Sequence, residues 1–161
     1  VGDGPGDDRD FTAADVRRRA MDLLARREHA RRELAAKLRS RGMPADMVES
    51  VLDDLGRENL LSDARFAESF IAARVGRGQG PVRIRMELEQ KGVGSEAIAM
   101  ALDNASPDWG ELAAAARSKR FGRKPPRDFH ERARQARFLQ YRGFASDHIS
   151  RALDAHEGGD D

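Results

Sequence analysis

Cysteine is absent from the 161 residues, so disulfides are excluded and no thiolate can hold a metal. Aromatic residues amount to 6%, with a single tryptophan and a single tyrosine, and alanine supplies much of the 39% hydrophobic fraction. Large apolar side chains are therefore sparse, which argues against one deep core and for thin, repeated helical layers. No apolar run approaches the roughly 18 residues of a membrane span, and no signal-peptide pattern opens the sequence. The expected setting is the cytoplasm, without membrane contact.

Convergent catalytic groups are missing as well. His29, His130, His148 and His156 show no metal-ligand spacing and read as solvent-facing or capping residues. The serines sit mainly at helix starts or in basic helices rather than in a nucleophile elbow. Gly76-Arg77-Gly78-Gln79-Gly80-Pro81 superficially suggests a phosphate cradle, but it lacks the Gly-Lys-Ser/Thr ending of a P-loop and follows a helix. It reads as a flexible turn before a Pro-initiated helix, one that lets Arg74 and Arg77 approach a partner closely. The expectation is a protein that is not an enzyme and uses no metal or cofactor.

What the chain has in excess is charge: 35% of residues, against about 25% in an average soluble protein. The net value of +1 hides segregation. Between Arg117 and Arg142 ten bases face only Asp128 and Glu131, and Arg17 to Arg41 is similarly basic, whereas Asp46 to Asp63 is acidic apart from Arg57. The ends, 1–10 and 158–161, are polar and Gly-rich, the composition of disordered tails.

A repeat of about fifty residues organises the rest. Gly42, Gly92 and Gly143 each follow a base. Leu38, Leu88 and Leu139 stand four residues earlier, and Met43, Val93 and Phe144 one residue later. Val48, Ile98 and Ile149 come six after the glycine, and Leu52, Leu102 and Leu153 ten after. A glycine just past a helix takes the left-handed conformation that closes a Schellman motif and folds the next hydrophobe back onto the helix. The two later positions are four apart and share one face of the following helix. Ser95-Glu96 and Ser146-Asp147 read as caps with an acidic first turn, and Pro44 as the opener in the first copy. Thr12, Ser62-Asp63 and Ser106-Pro107 read as starts of the leading helices, Gly80-Pro81 as the start of a middle helix, and 122–126 as a basic loop. The predicted fold is all-α: three tandem three-helix, helix-turn-helix-like repeats at 11–59, 60–105 and 106–157, stacked in an elongated, curved array. The third copy departs, with Gln135 where Leu34 and Ile84 lie, and with Phe138 and Tyr141 at otherwise polar positions.

The same pattern also describes a DNA-reading helix-turn-helix, which is the rival reading. Its recognition helices would be the acidic 46–54 segment and Ser95 to Asn104, which holds Glu96 and Asp103 and no base. Phosphates would repel both. Positive charge lies instead on the first two helices of the outer copies. The candidate binding residues are Arg26, Arg27, Arg31 and Arg32; Arg74, Arg77, Arg83 and Arg85; and Arg117, Lys119, Arg120, Arg123, Lys124 and Arg127. They are expected to be largely exposed and to face an acidic partner.

The second repeat carries a family likeness. Leu61-Ser62-Asp63-Ala64-Arg65-Phe66-Ala67-Glu68-Ser69-Phe70, Arg74, the run from Gly78-Gln79-Gly80-Pro81 to Leu88, and Lys91-Gly92 together resemble the RecX family. The stretch Leu23 to Leu34 resembles that family's opening and Arg134 to Phe144 its closing repeat, so the likeness spans about 11 to 155. It implies a negative regulator of the recombinase RecA, seated in the groove of the RecA–single-stranded DNA filament. Such a protein blocks filament extension, inhibits ATP hydrolysis, strand exchange and co-protease activity, and so modulates DNA repair and the SOS response. The expected partners are the RecA filament and, weakly and without sequence preference, nucleic acid. A monomer is expected, with a dimer that exchanges repeats as the alternative.

Overall fold

The structure is a computed structural model and describes residues 10–154. The tails expected to be disordered lie, apart from Asp10, outside the described residues. Among those residues the chain forms nine helices and no strand: α1 (Ala13–Arg26), α2 (Arg31–Ser40), α3 (Ala45–Arg57), α4 (Asp63–Gly76), α5 (Pro81–Gln90), α6 (Ser95–Ala105), α7 (Trp109–Phe121), α8 (Phe129–Tyr141) and α9 (Ser146–Asp154). The all-α expectation holds.

The repeated glycines do what their spacing predicts. Gly42, Gly92 and Gly143 have φ of +85°, +82° and +95°, the left-handed region that side chains resist. After each, the N–H of the next residue donates back across the turn: Met43 to the Leu38 carbonyl at 3.4 Å, Val93 to Leu88 at 3.1 Å, Phe144 to Leu139 at 3.1 Å. The glycine N–H donates to the carbonyl three residues before it, completing the Schellman pair. Leu38, Leu88 and Leu139 are fully buried, and so are Val48, Ile98 and Leu52.

Helix starts follow the sequence less closely. Thr12 caps α1 in a reciprocal box with Asp15, and Ser62 Oγ accepts from the Arg65 N–H at 3.2 Å. Gly80 and Pro81 open α5 as expected. Ser95, however, is already helical and Gly94 takes the cap position without a side-chain bond. Ser146 is likewise the first residue of α9, where His148 Nδ1 accepts from the Ala145 N–H at 3.2 Å. The cause is the Schellman turn, which lets the next helix begin three residues after its glycine whatever side chains stand there. Ser106 closes α6 at φ +36° instead of starting α7, and Asp108 supplies that cap by accepting from the Glu111 N–H at 3.1 Å.

Two compact units divide the chain, one ending at Phe66 and one beginning at Ala67. In the first, an i, i+4, i+7 stripe of Val16, Ala20 and Leu23 on α1 meets Leu34, Ala35 and Leu38 on α2. Both pack on Val48, Val51, Leu52 and Leu55 of α3, each buried aliphatic side chain contributing about 1.5–3 kcal/mol. Asp63 Oδ1 accepts from the Arg31 N–H at 2.8 Å, and Arg65 Nε donates to Glu28 at 2.9 Å.

The second unit is held partly by backbone. The Gly80 N–H donates to the Arg142 carbonyl and the Val82 N–H to the Gly143 carbonyl, both at 2.9 Å. So close an approach tolerates no side chain: a Cβ on Gly80 would stand 2.4 Å from the Gly143 carbonyl carbon and oxygen. Around α7, the bare Gly110 lets Arg151 of α9 lie across the helix start and donate to Asp108 Oδ2 at 3.1 Å. Ala113, Leu139, Phe144 and Ala152 form the apolar centre of α7–α9.

Candidate macromolecule-binding surface

The basic residues singled out in the sequence fall into three groups once their partners are visible. The first is tied to carboxylates. Arg27 is clamped by Glu33, and Arg31 donates to Glu49 and to Asp53, each at 2.7 Å. Arg74 pairs with Glu87 at 3.2 Å, lies 4.6 Å over the Phe70 ring, and shares Glu87 with Arg83 at 3.1 Å. Arg127 is exposed but held by Glu131 at 2.7 Å. The hydrogen bonds that Arg27, Arg31 and Arg127 donate to Glu33, Glu49 and Glu131 push their guanidinium pKa values further up. These arginines are partly neutralised where they stand, and an incoming anion must compete with a carboxylate already in place.

Arg117 is a group by itself. It was expected on an exposed basic face, yet it is fully buried. Its Nε donates to Gln135 Oε1 at 2.8 Å and its Nη2 to the Lys124 carbonyl at 2.5 Å. Burial lowers its pKa from the ordinary arginine value. This explains the third repeat's departure: Gln135 stands where the other copies place Leu34 and Ile84 because it faces a guanidinium rather than a hydrocarbon. Arg117 thereby pins the loop between α7 and α8.

The third group is exposed and, among the described residues, has no carboxylate at ion-pair distance: Arg26, Arg32, Arg77, Arg85, Lys119, Arg120, Arg123 and Lys124. Arg26 and Arg32 belong to the first unit, and the other six to the second. Lys119 and Arg120 occupy the last turn of α7, where the helix dipole favours cations. Arg123 and Lys124 follow in the loop that Arg117 anchors.

Within the second unit, the turn after α4 and one face of α7 border a groove of about 460 Å³. Arg77, Lys119, Arg120 and Arg142 stand on it, over Val75, Leu112, Ala115 and Ala116. Arg142 was not among the sequence candidates. It lies 5.3 Å over the Phe138 ring, with Nη1 donating to the Arg77 carbonyl at 3.3 Å. The signal available for it was its place at the end of the Arg117–Arg142 basic stretch.

His29, which the lack of any metal-ligand spacing marks as a solvent-facing or capping residue, is instead buried. Nε2 is 3.0 Å from Lys37 Nζ, which can only donate, so Nε2 accepts and Nδ1–H donates to the Arg27 carbonyl at 3.1 Å. Desolvation, then the nearby Arg27 and Lys37 charges, lower its pKa against the opposing pull of the Arg27 carbonyl and Glu33. With the folded value below the unfolded one, the unfolded chain takes up the proton first. The stability from neutral His29 is complete above about pH 6.5 and is lost as pH falls below it. We expect the melting temperature to drop between pH 7.5 and 5.5 by more in the wild type than in a His29→Gln variant. Equal drops would mean the imidazole is not held neutral.

Among the described residues no group of three or more His, Cys, Asp or Glu side chains is placed to hold a metal ion. Nor is any helix there long and apolar enough to cross a membrane.

Comparison with known proteins gives a consistent result along the chain. Models of the RecX first, second and third three-helix domains match residues 17–55, 62–102 and 110–153. The regulatory protein RecX of Pseudomonas fluorescens is 50% identical over 142 residues, 88% of this chain and 92% of the relative. That of Halorhodospira halophila is 50% identical over 146 residues, 91% of each. The crystal structure of RecX from Lactobacillus salivarius superposes with a TM-score of 0.76, covering 90% of this chain and 96% of that one at 21% identity, a likeness of fold alone. A second crystal structure, of a regulatory protein RecX, gives 0.75 at 26% identity over 89% and 73% of the two chains. The relatives bear the name of regulatory proteins rather than of enzymes.

Proposed function

The chain belongs to the RecX family, and from that premise we propose that it restrains RecA in the cytoplasm by occupying the groove of the RecA–single-stranded DNA filament. Occupancy blocks extension and inhibits ATP hydrolysis, strand exchange and co-protease activity, so the protein tempers DNA repair and the SOS response. It needs no catalytic group and no cofactor for this, because covering a surface suffices. The repeats at 11–59, 60–105 and 106–157 spread the contact over several modest patches, whose effects multiply when they engage together. In this reading the protein acts as a monomer.

The observation that carries the reading is the run of exposed, unneutralised cations Lys119, Arg120, Arg123 and Lys124, held in place by the buried Arg117. Exposed cations with no carboxylate at ion-pair distance attract an acidic surface without first having to break a pair. Sequence-specific DNA reading by a helix-turn-helix gains nothing comparable. The helix following the first repeat glycine exposes Asp46, Glu49, Asp53 and Asp54, and that following the second exposes Glu96 and Asp103. Direct DNA binding is then weak, salt-sensitive and indifferent to sequence.

ATP turnover by RecA on single-stranded DNA, measured against rising amounts of the protein, tests this. Wild type should inhibit. Reversing Lys119, Arg120, Arg123 and Lys124 to Glu should weaken inhibition by roughly a hundredfold, since charge pairs at an interface reach a few kcal/mol. The matched control reverses Glu96 and Asp103 on α6, exposed carboxylates without an ion-pair partner among the described residues, and should inhibit like wild type. Turnover untouched by wild type would end the regulator reading. A folded quadruple variant that inhibits normally would end only the site assignment.

A further inference from the structure

The groove beside α7 has a chemistry of its own. Its rim carries four cations, and no Asp or Glu lines it among the described residues. The neighbouring hollow at the α7–α8 loop contrasts with it, because there Glu131 already occupies Arg127. Two of the rim cations are pre-positioned: Arg142 by the Phe138 ring and the Arg77 carbonyl, and Arg120 over the Phe121 ring at 5.4 Å. The floor is small and aliphatic. Leu112, Ala115 and Ala116 supply it from α7, and Gly76 and Gly78 keep the opposite wall bare. A Cβ placed on Gly76 would meet nothing within 4 Å.

These features decide between classes of occupant. Single-stranded nucleic acid needs phosphate-tracking cations and also aromatic faces on which bases stack. No aromatic residue lines this groove among the described residues. Carboxylates suit it better, since three of the four rim cations are guanidinium forks that grip carboxylates in two-pronged fashion. An aliphatic floor between such forks matches a side chain of the size of leucine or valine.

We propose that this groove docks an acidic protein segment bearing an aliphatic anchor, with its carboxylates on Arg77, Lys119, Arg120 and Arg142 and the anchor over Ala115 and Ala116. The site deepens the regulator reading and relies on it for the identity of the protein that supplies the segment. Its chemistry is measured without RecA, so the two can fail separately.

The probes are a fluorescein-labelled nonapeptide alternating Glu and Leu, its Gln-for-Glu counterpart and a nine-nucleotide thymidine oligomer, followed by anisotropy against the full chain. The acidic peptide should bind saturably and lose affinity with added salt, and the Gln peptide should bind at least about tenfold more weakly. Ala115→Glu plants a carboxylate in the groove while pairing with Lys119 one turn on, which supports the helix. It should weaken the acidic peptide at least about tenfold, as should Arg77→Glu in the exposed turn, whereas Ala115→Gln should cost far less. Unchanged binding by both charged variants, or equal binding of the two peptides, would overturn the proposal. A thymidine oligomer displaced by Ala115→Glu while the acidic peptide is not would replace it with a nucleic-acid surface.

Discussion

Replacing Gly143 with valine is expected to destabilise the second unit by about 4 kcal/mol or more, while the same change at Gly42 should cost the first unit about 1–2 kcal/mol. Both residues have positive φ, so both substitutions carry the left-handed penalty. At Gly42 a Cβ would meet only the Phe11 ring, at an ordinary 3.8 Å, whereas at Gly143 it would collide with main chain. A Cβ there would stand 2.2 Å from Arg83 Cβ and 2.7 Å from the Arg83 nitrogen. Relief would require the turn after α8 to withdraw from α5, breaking the bonds that Gly80 and Val82 donate to it. Denaturant unfolding of the two variants measures the difference. If Gly143→Val destabilises its unit no more than Gly42→Val destabilises the other, the backbone crossing is not formed in solution.

Arg117→Ala should be the next most damaging change, at about 3–5 kcal/mol. It empties a fully buried side-chain volume, strips Gln135 Oε1 of its donor and releases the Lys124 carbonyl. Gln135→Leu alone should also destabilise, because it removes an acceptor from a buried guanidinium. The pair Arg117→Leu with Gln135→Leu should recover part of the loss, since two apolar groups leave nothing unsatisfied between them. A double-mutant cycle by thermal unfolding reads the coupling, and strict additivity would refute the pairing. It follows that a charge reversal including Arg117 tests folding rather than binding.

The difference between Arg117 and its neighbours marks where sequence reasoning stops. The helix ends were legible because the Schellman turn is local: one glycine, the leucine four before it and the hydrophobe one after carry all of it. The buried faces were legible for the same reason, as the paired positions at Val48 and Leu52 show. Ser95 and Ser146 were misplaced by one position because the turn geometry, and not the side chain, chooses where the next helix begins. Arg117 looked like any other base in a basic stretch. Its burial depends on α8 bringing Gln135 alongside, and the polar intrusion at a core position of the repeat was the one mark it left. The groove beside α7 had no sequence mark of its own, because Arg77, Lys119 and Arg142 meet only through tertiary packing.

The bonds between Gly80, Val82 and the turn after α8 also bear on folding order. They join stretches of chain far apart in sequence: Arg142 and Arg77, linked in the same region, lie 65 positions apart. Caps and helical turns close within a few residues and form early, whereas such non-local pairs must await both partners and the entropy of a long loop. They therefore belong to the late side of the barrier. Interactions of that kind scarcely change how fast a chain folds but govern how slowly it comes apart. A glycine pair with no side chains between them thus acts as a brake on unfolding, setting the lifetime of the second unit against proteolysis more than the speed of its assembly.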